Sequence, residues 1–246
     1  MTLTRSATAS STTARVRQAL RDWLLPTAVL ALAAWLRLAH LDQVEFTWDQ
    51  AEISKWALQM ARGGVIQWAG PYSSAGLHSF LATVWLVAIP YVFSLNPIVA
   101  TGFIAATNLC AIVICYLATR RWFGPTAALL TTLLFAVAPW AVIHSRKIWH
   151  TTNLPLWVML SVATGWLAYV RGRRWALPVH GLLLAWTAQV HFTGIPIALA
   201  SVVWALIFRK RALGRSHLYS LSRPRCSTRL GRYTRVCQPL AAAHCD

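Results

Sequence analysis

Four of the chain's six acidic residues, Asp42, Glu45, Asp49 and Glu52, fall within eleven positions of one another, in surroundings that are otherwise apolar or basic. A carboxylate within hydrogen-bond reach of a hydroxyl can take its proton as that hydroxyl attacks a carbon centre. The same residues also fit a structural pattern. Asp49-Gln-Ala-Glu52 has the spacing of a capping box, with Asp49 capping a helix start and Glu52 reaching back to the free amides. The helix so begun carries Ile53, Trp56, Ala57 and Met60 at amphipathic spacing, and Glu52 is placed to pair with Lys55. A second polar group, "HSRKIWH", brings Arg146, Lys147 and His150 together at the end of an apolar run.

The elements that must position these groups read as membrane helices. The 246 residues are 57% hydrophobic and 12% charged, with 14 Trp and a mean hydropathy of +0.50. Soluble domains devote about a quarter of their residues to charge. The net charge of +17 does not mark a nucleic-acid binder, because the basic residues sit in short clusters at the ends of apolar runs, as cytoplasmic loops of membrane proteins do. The five cysteines show neither a CxxC pair nor Cys/His ligand spacing, so no zinc site or disulfide framework is indicated.

Apolar runs occupy about 23–41, 78–95, 98–118, 125–144, 153–170, 175–190 and 193–208, each a candidate for crossing about 30 Å of hydrocarbon. The expected fold is all-α, a polytopic helical membrane protein of about 6–7 transmembrane segments with an amphipathic juxtamembrane helix in its first outside loop, residues 42–77. A basic tail, 1–22, precedes a transmembrane domain over 23–211. A cleaved signal peptide is disfavoured by the long segment before the first run and by that run's continuation past Ala33. With the N-terminus in the cytoplasm, Arg120/Arg121, Arg171–Arg174 and Arg209–Arg211 fall inside, while the acidic loop and "HSRKIWH" fall outside. This parity requires 78–95, which contains Pro90, to be shallow or re-entrant. Arg37 is placed to snorkel from the first helix to the headgroups, and His180 and His191 flank a span containing Gln189. From about Ala212 the chain becomes irregular and basic, reading either as a frameshifted or truncated terminus or as a disordered tail over 212–246.

Three stretches, "RLAHLDQVEFTWDQAEISKWALQMARGG" (Arg37–Gly64), "YLATRRWFG" (Tyr116–Gly124) and "AVAPWAVIHSRKIWHTTNLPLWVML" (Ala136–Leu160), together resemble the GT-C membrane glycosyltransferases. The nearest branches are the protein O-mannosyltransferases (glycosyltransferase family 39) and the lipid A aminoarabinose transferases. The likeness covers about residues 24–208, the N-terminal portion of such enzymes. It implies transfer of a sugar from a polyprenyl-phosphate donor to an acceptor hydroxyl at the outer face of the cell membrane, with inversion. By the match, Asp49 is the acid that engages the acceptor hydroxyl, with Glu52 close by. The leaving phosphate needs cations, and Arg146 and Lys147, with His150, are suitable. They serve equally as interfacial anchors to anionic headgroups. Gln50 stands where many relatives carry a second acid, and "HTTNLPL" (His150–Leu156) lacks the acid of their second outside loop. No metal and no cofactor are therefore expected, since a divalent cation wants several oxygen ligands. The expected partners are the lipid-linked sugar, an unspecified acceptor and the bilayer, with no nucleic acid. A small transporter or channel, with the acidic loop as a cation-attracting vestibule, and an inactive fragment are the alternatives.

Overall fold

The computed structural model describes residues 20–72, 78 and 81–212; of the expected tails, 1–22 and 212–246, all but residues 20–22 and 212 lies outside them. The described residues are all-α, with one isolated antiparallel bridge between Tyr72 and His78. A wide turn, Leu20–Leu24, leads into α1 (Leu25–Leu38). Then follow α2 (Trp48–Gly63), α3 (Ala82–Phe93), α4 (Pro97–Phe123), α5 (Pro125–Val137) and α6 (Pro139–His144). Next come α7 (Leu154–Gly165), continued by Trp166–Val170, then α8 (Ala176–Val190) and α9 (Gly194–Ala212).

Proline and glycine set most of these boundaries. Five helices carry Pro in their first two positions, where the missing N–H costs no hydrogen bond. Gly124, at φ +91°, turns α4 directly into α5 with a backbone conformation that L side chains rarely adopt. The second basic turn, with Gly172 at φ +64°, does the same work between α7 and α8.

Two helical stretches, Pro97–Phe123 and Thr151–Val170, are long and apolar enough to cross a membrane; four others of apolar character, 82–93, 125–137, 176–190 and 194–208, are shorter. The run at 125–144 is not one helix but two, broken at Ala138. That break explains Arg37, which does not snorkel outward. Its side chain is fully buried and its guanidinium donates to the carbonyls of Ala136 (2.8 Å), Phe135 (3.0 Å) and Ala33 (3.3 Å). The Phe135 carbonyl would ordinarily accept from the amide four residues on, but that residue is Pro139, which has none. A guanidinium from the neighbouring helix supplies the donor that the α5–α6 break removed.

The bundle has two distinguishable ends. At one, Asp22 pairs with Arg120 at 3.2 Å, and the Arg121 and Arg171 guanidiniums lie 5.9 and 5.3 Å from the Trp166 ring centroid. At the other, the α1–α2 loop meets the α6–α7 loop. The first turns of α4 belong to that second end, since Ala100 and Ile104 pack with Ile53, Ala57 and Ile148. The start of α3 belongs there too, because Thr83 Oγ1 donates to the carbonyl of Val190 at 3.3 Å. α3 therefore begins and ends on one side of the bundle, and its 12 residues extend only about 18 Å.

Replacing Arg37 with Met is expected to lower unfolding stability by about 2–4 kcal/mol, because buried carbonyls at the break lose a charged donor. Arg37→Lys, a point charge without the fork, should fall between. Denaturant titration of the purified protein measures both, and an Arg37→Met protein as stable as the parent contradicts the assignment.

Candidate functional site

The site is assembled from two loops that close on each other. α2 starts at Trp48 with Thr47 as N-cap, and no side chain caps its amides. Asp49 therefore lies in the first turn, one step too far along to form the expected capping box. Nor is the ion pair between Glu52 and Lys55 formed. Asp49 is exposed and Glu52 half-buried, and neither carboxylate makes a hydrogen bond or ion pair with another described residue. One turn apart, they share a face of the helix. Among the described residues, the Asp49 carboxylate at the start of α2 has no hydrogen-bond or salt-bridge partner.

Gln50, the residue in the place of a second acid, is the clamp that fixes this turn. It is buried, its Oε1 accepts from the Ile148 amide at 3.0 Å, and its Nε2 donates to the Glu45 carbonyl at 2.9 Å. A carboxylate here would have no proton for the Glu45 carbonyl, which gives a structural reason for an amide at this position. Ile148 is itself buried against Ile53, Ala57 and Ile104, so the polar clamp sits beside an apolar one.

Arg146 and Lys147 complete the closure. The Arg146 guanidinium donates to the carbonyls of Ala39 (2.6 Å) and His40 (2.7 Å), the chain's exit from α1. His40 is held at φ +53°, a left-handed conformation that costs a non-glycine residue on the order of 1 kcal/mol. Lys147 Nζ pairs with Glu45 at 3.0 Å, with the carboxylate side largely exposed. Of the two cations expected to meet a phosphate, Arg146 is thus committed to backbone carbonyls, while Lys147 lies at a solvated rim.

His150 occupies a tight turn closed by Thr152, whose Oγ1 donates to the Trp149 carbonyl at 2.7 Å. Asn108 of α4 pins that turn from below through the Thr152 carbonyl at 2.9 Å. Burial, helped by the nearby His191, pushes the His150 imidazole down to about 4, with Asp49 pulling weakly the other way. Those causes bring Asp49, His150 and His191 into one electrostatic neighbourhood, from the start of α2, the α6–α7 loop and the α8–α9 loop. His191 was visible in the sequence only as a polar residue beside a span. Its Nδ1 accepts from the Thr193 amide at 3.3 Å and from the Thr193 hydroxyl at 2.9 Å, so its proton resides on Nε2. Burial lowers its pKa as well. Among the described residues no group of three His, Cys, Asp or Glu is arranged to hold a metal ion.

The depressed His150 pKa makes stability depend on pH. The unfolded chain binds a proton below about 6.5 that the folded chain refuses until about 4. Stability from this group is therefore complete above pH 6.5 and is lost as the pH falls towards 4, by about 3 kcal/mol. His150→Gln should flatten that part of the pH–stability curve measured by thermal unfolding, and an unchanged slope contradicts the burial assigned to the ring.

No protein-family model, curated protein or solved structure matches the chain.

Proposed function

We propose that the chain is a membrane glycosyltransferase of GT-C type, or the N-terminal part of one, moving a sugar from a polyprenyl-phosphate donor onto an acceptor hydroxyl at the outer membrane face. The observation that carries the reading is the unpaired Asp49 carboxylate, presented in the first turn of α2 and held by the Gln50–Ile148 clamp beside a basic loop. The placing of the bundle in a bilayer is supported by what the helices expose. Trp23, Trp35, Leu134, Leu182, Leu199 and Leu206 are each more than half exposed, an outer surface suited to hydrocarbon.

In a bilayer, the arginine-rich end would face the cytoplasm and the Asp49 end the outside, in keeping with the bias of Lys and Arg towards cytoplasmic loops. The crossings would be α1, α4, α5–α6, α7, α8 and α9, with α2 lying along the surface. α3 begins and ends on the Asp49 side and would enter without crossing, leaving six crossings and the alternation that the basic clusters require.

The chemistry runs through Asp49. Its carboxylate takes the acceptor hydroxyl's proton while that oxygen forms a bond to the anomeric carbon. The bond from that carbon to the phosphate oxygen breaks on the opposite face, and the lipid phosphate leaves with the electron pair, so the configuration inverts. Lys147 would approach the leaving phosphate as a mobile point charge, exchanging its exposed partner Glu45 for a phosphate oxygen. Arg146 contributes by holding the loop and by its residual charge rather than by a free fork. His150, neutral at ordinary pH, acts as a hydrogen-bonding group and not as a cation. Glu52, one turn on from Asp49, supports the proton's departure.

Asp49→Asn should lower transfer from polyprenyl-phosphate sugars by at least about 100-fold, with the variant inserting into membranes at the parent level. Glu52→Gln should cost less. Transfer by Asp49→Asn at the parent rate would falsify the assignment.

A further inference from the structure

Three buried polar atoms near the α6–α7 loop and the end of α8 have no hydrogen-bond partner among the described residues. They are Nδ1 of His150, Oδ1 of Asn153 and Nε1 of Trp186. All three come from two segments packed against each other. Leu154 and Trp157 of the first segment pack with Trp186 and Val190 of the second, and the Trp157 and Trp186 rings meet edge to face at 5.7 Å. His191, directly after Val190, lies within electrostatic reach of His150. Asn153 is 2% exposed, and its orientation is fixed because its Nδ2 donates to the Trp149 carbonyl at 3.3 Å. The free atom is therefore the carbonyl oxygen, an acceptor.

Leaving a buried polar atom unpaired costs about 1–3 kcal/mol, and these three are carried by two segments that pack on each other. Their chemistry is specific. An indole N–H donates, a carboxamide oxygen accepts, and a neutral imidazole nitrogen does one or the other. A phosphate would meet the Asn153 oxygen head-on, and nothing in the set carries charge. Hydroxyl groups, which both donate and accept, fit all three.

We propose that the junction of residues 150–154 with the end of α8 is the sugar subsite of this protein, binding an uncharged, hydroxyl-rich ring through His150, Asn153 and Trp186. The inference rests on the glycosyl-transfer reading and narrows it. The donor sugar is neutral, and its ring lies on the far side of His150 from Lys147, which meets the phosphate. His191, with its proton fixed on Nε2, borders the same subsite.

The test is equilibrium binding to the purified full chain in nanodiscs, with decaprenyl-phosphate mannose and decaprenyl phosphate as probes. Decaprenyl-phosphate mannose should bind more tightly than the bare lipid phosphate. Asn153→Leu and, separately, Trp186→Phe, which keeps an aromatic ring against Trp157 and removes the indole N–H, should each cut that preference about three- to tenfold. Neither should change affinity for decaprenyl phosphate. Equal binding of the two lipids overturns the subsite. So does a preference that survives both substitutions, which would place the sugar elsewhere and leave the glycosyl reading standing. Failure of a folded, inserted chain to bind either lipid overturns the glycosyl reading itself, and the subsite with it.

Discussion

Backbone carbonyls at the ends of apolar helices need donors, and in this protein arginine side chains from distant segments supply them. An α-helix leaves its last four carbonyls without intrahelical partners, and in apolar surroundings water cannot be relied on to serve them. Arg146 bonds the carbonyls where α1 ends, Arg37 bonds those where α5 ends, and the Arg62 Nε donates to the Tyr91 carbonyl near the end of α3 at 3.0 Å. The Arg146 contact matters most, because it draws the α6–α7 loop onto the α1–α2 loop. Once that closure is made, Gln50 reaches Ile148, Lys147 reaches Glu45, and Asp49 comes within electrostatic reach of His150.

The same closure separates two kinds of basic residue. Arg146 and Arg37 act inside the protein, and their charge is spent on carbonyl dipoles. Arg121 and Arg171 lie at the opposite end against the Trp166 ring, where aromatic faces and helix C-termini receive them. Asp22, which is paired with Arg120, is the one acid described at that end. The acids without an ion pair among the described residues, Asp42, Asp49 and Glu52, are all on the Asp49 side. This polarity of charge along the bundle is what the proposed orientation uses.

Much of the fold was legible in the sequence, and the reasons are local ones. Runs of apolar residues bounded by Pro, Gly and Arg clusters give helix positions directly, and the predicted runs lie close to α1, α3, α4, α7, α8 and α9. The amphipathic spacing from Ile53 to Met60 likewise gave α2. The break at Ala138 was missed because Pro139 also fits the interior of a long apolar run, and only the donor offered by Arg37 makes the break stable. The capping box was a local pattern that failed by one residue, since Thr47 already occupied the N-cap. Asn108 and Gln50 could not be assigned from sequence, because each bonds a partner tens of residues away, and His191 because its electrostatic neighbour His150 lies on another loop. An isolated amide or imidazole in an apolar stretch marks that some partner exists without naming it.

The most direct test of the account asks whether the two loops meet on the outer side of the membrane. Glu45→Cys and Lys147→Cys, introduced together into a chain freed of its native cysteines, should be joined by a short bis-maleimide linker in native membranes, since the 3.0 Å contact of the parent side-chain ends keeps the two positions within one lysine and one glutamate side chain of each other. A membrane-impermeant thiol reagent added to intact cells should prevent that cross-link. A pair that fails to join in a folded, inserted protein would contradict the closure. A pair that joins but is blocked only after the cells are opened would contradict the orientation on which the proposed reaction depends.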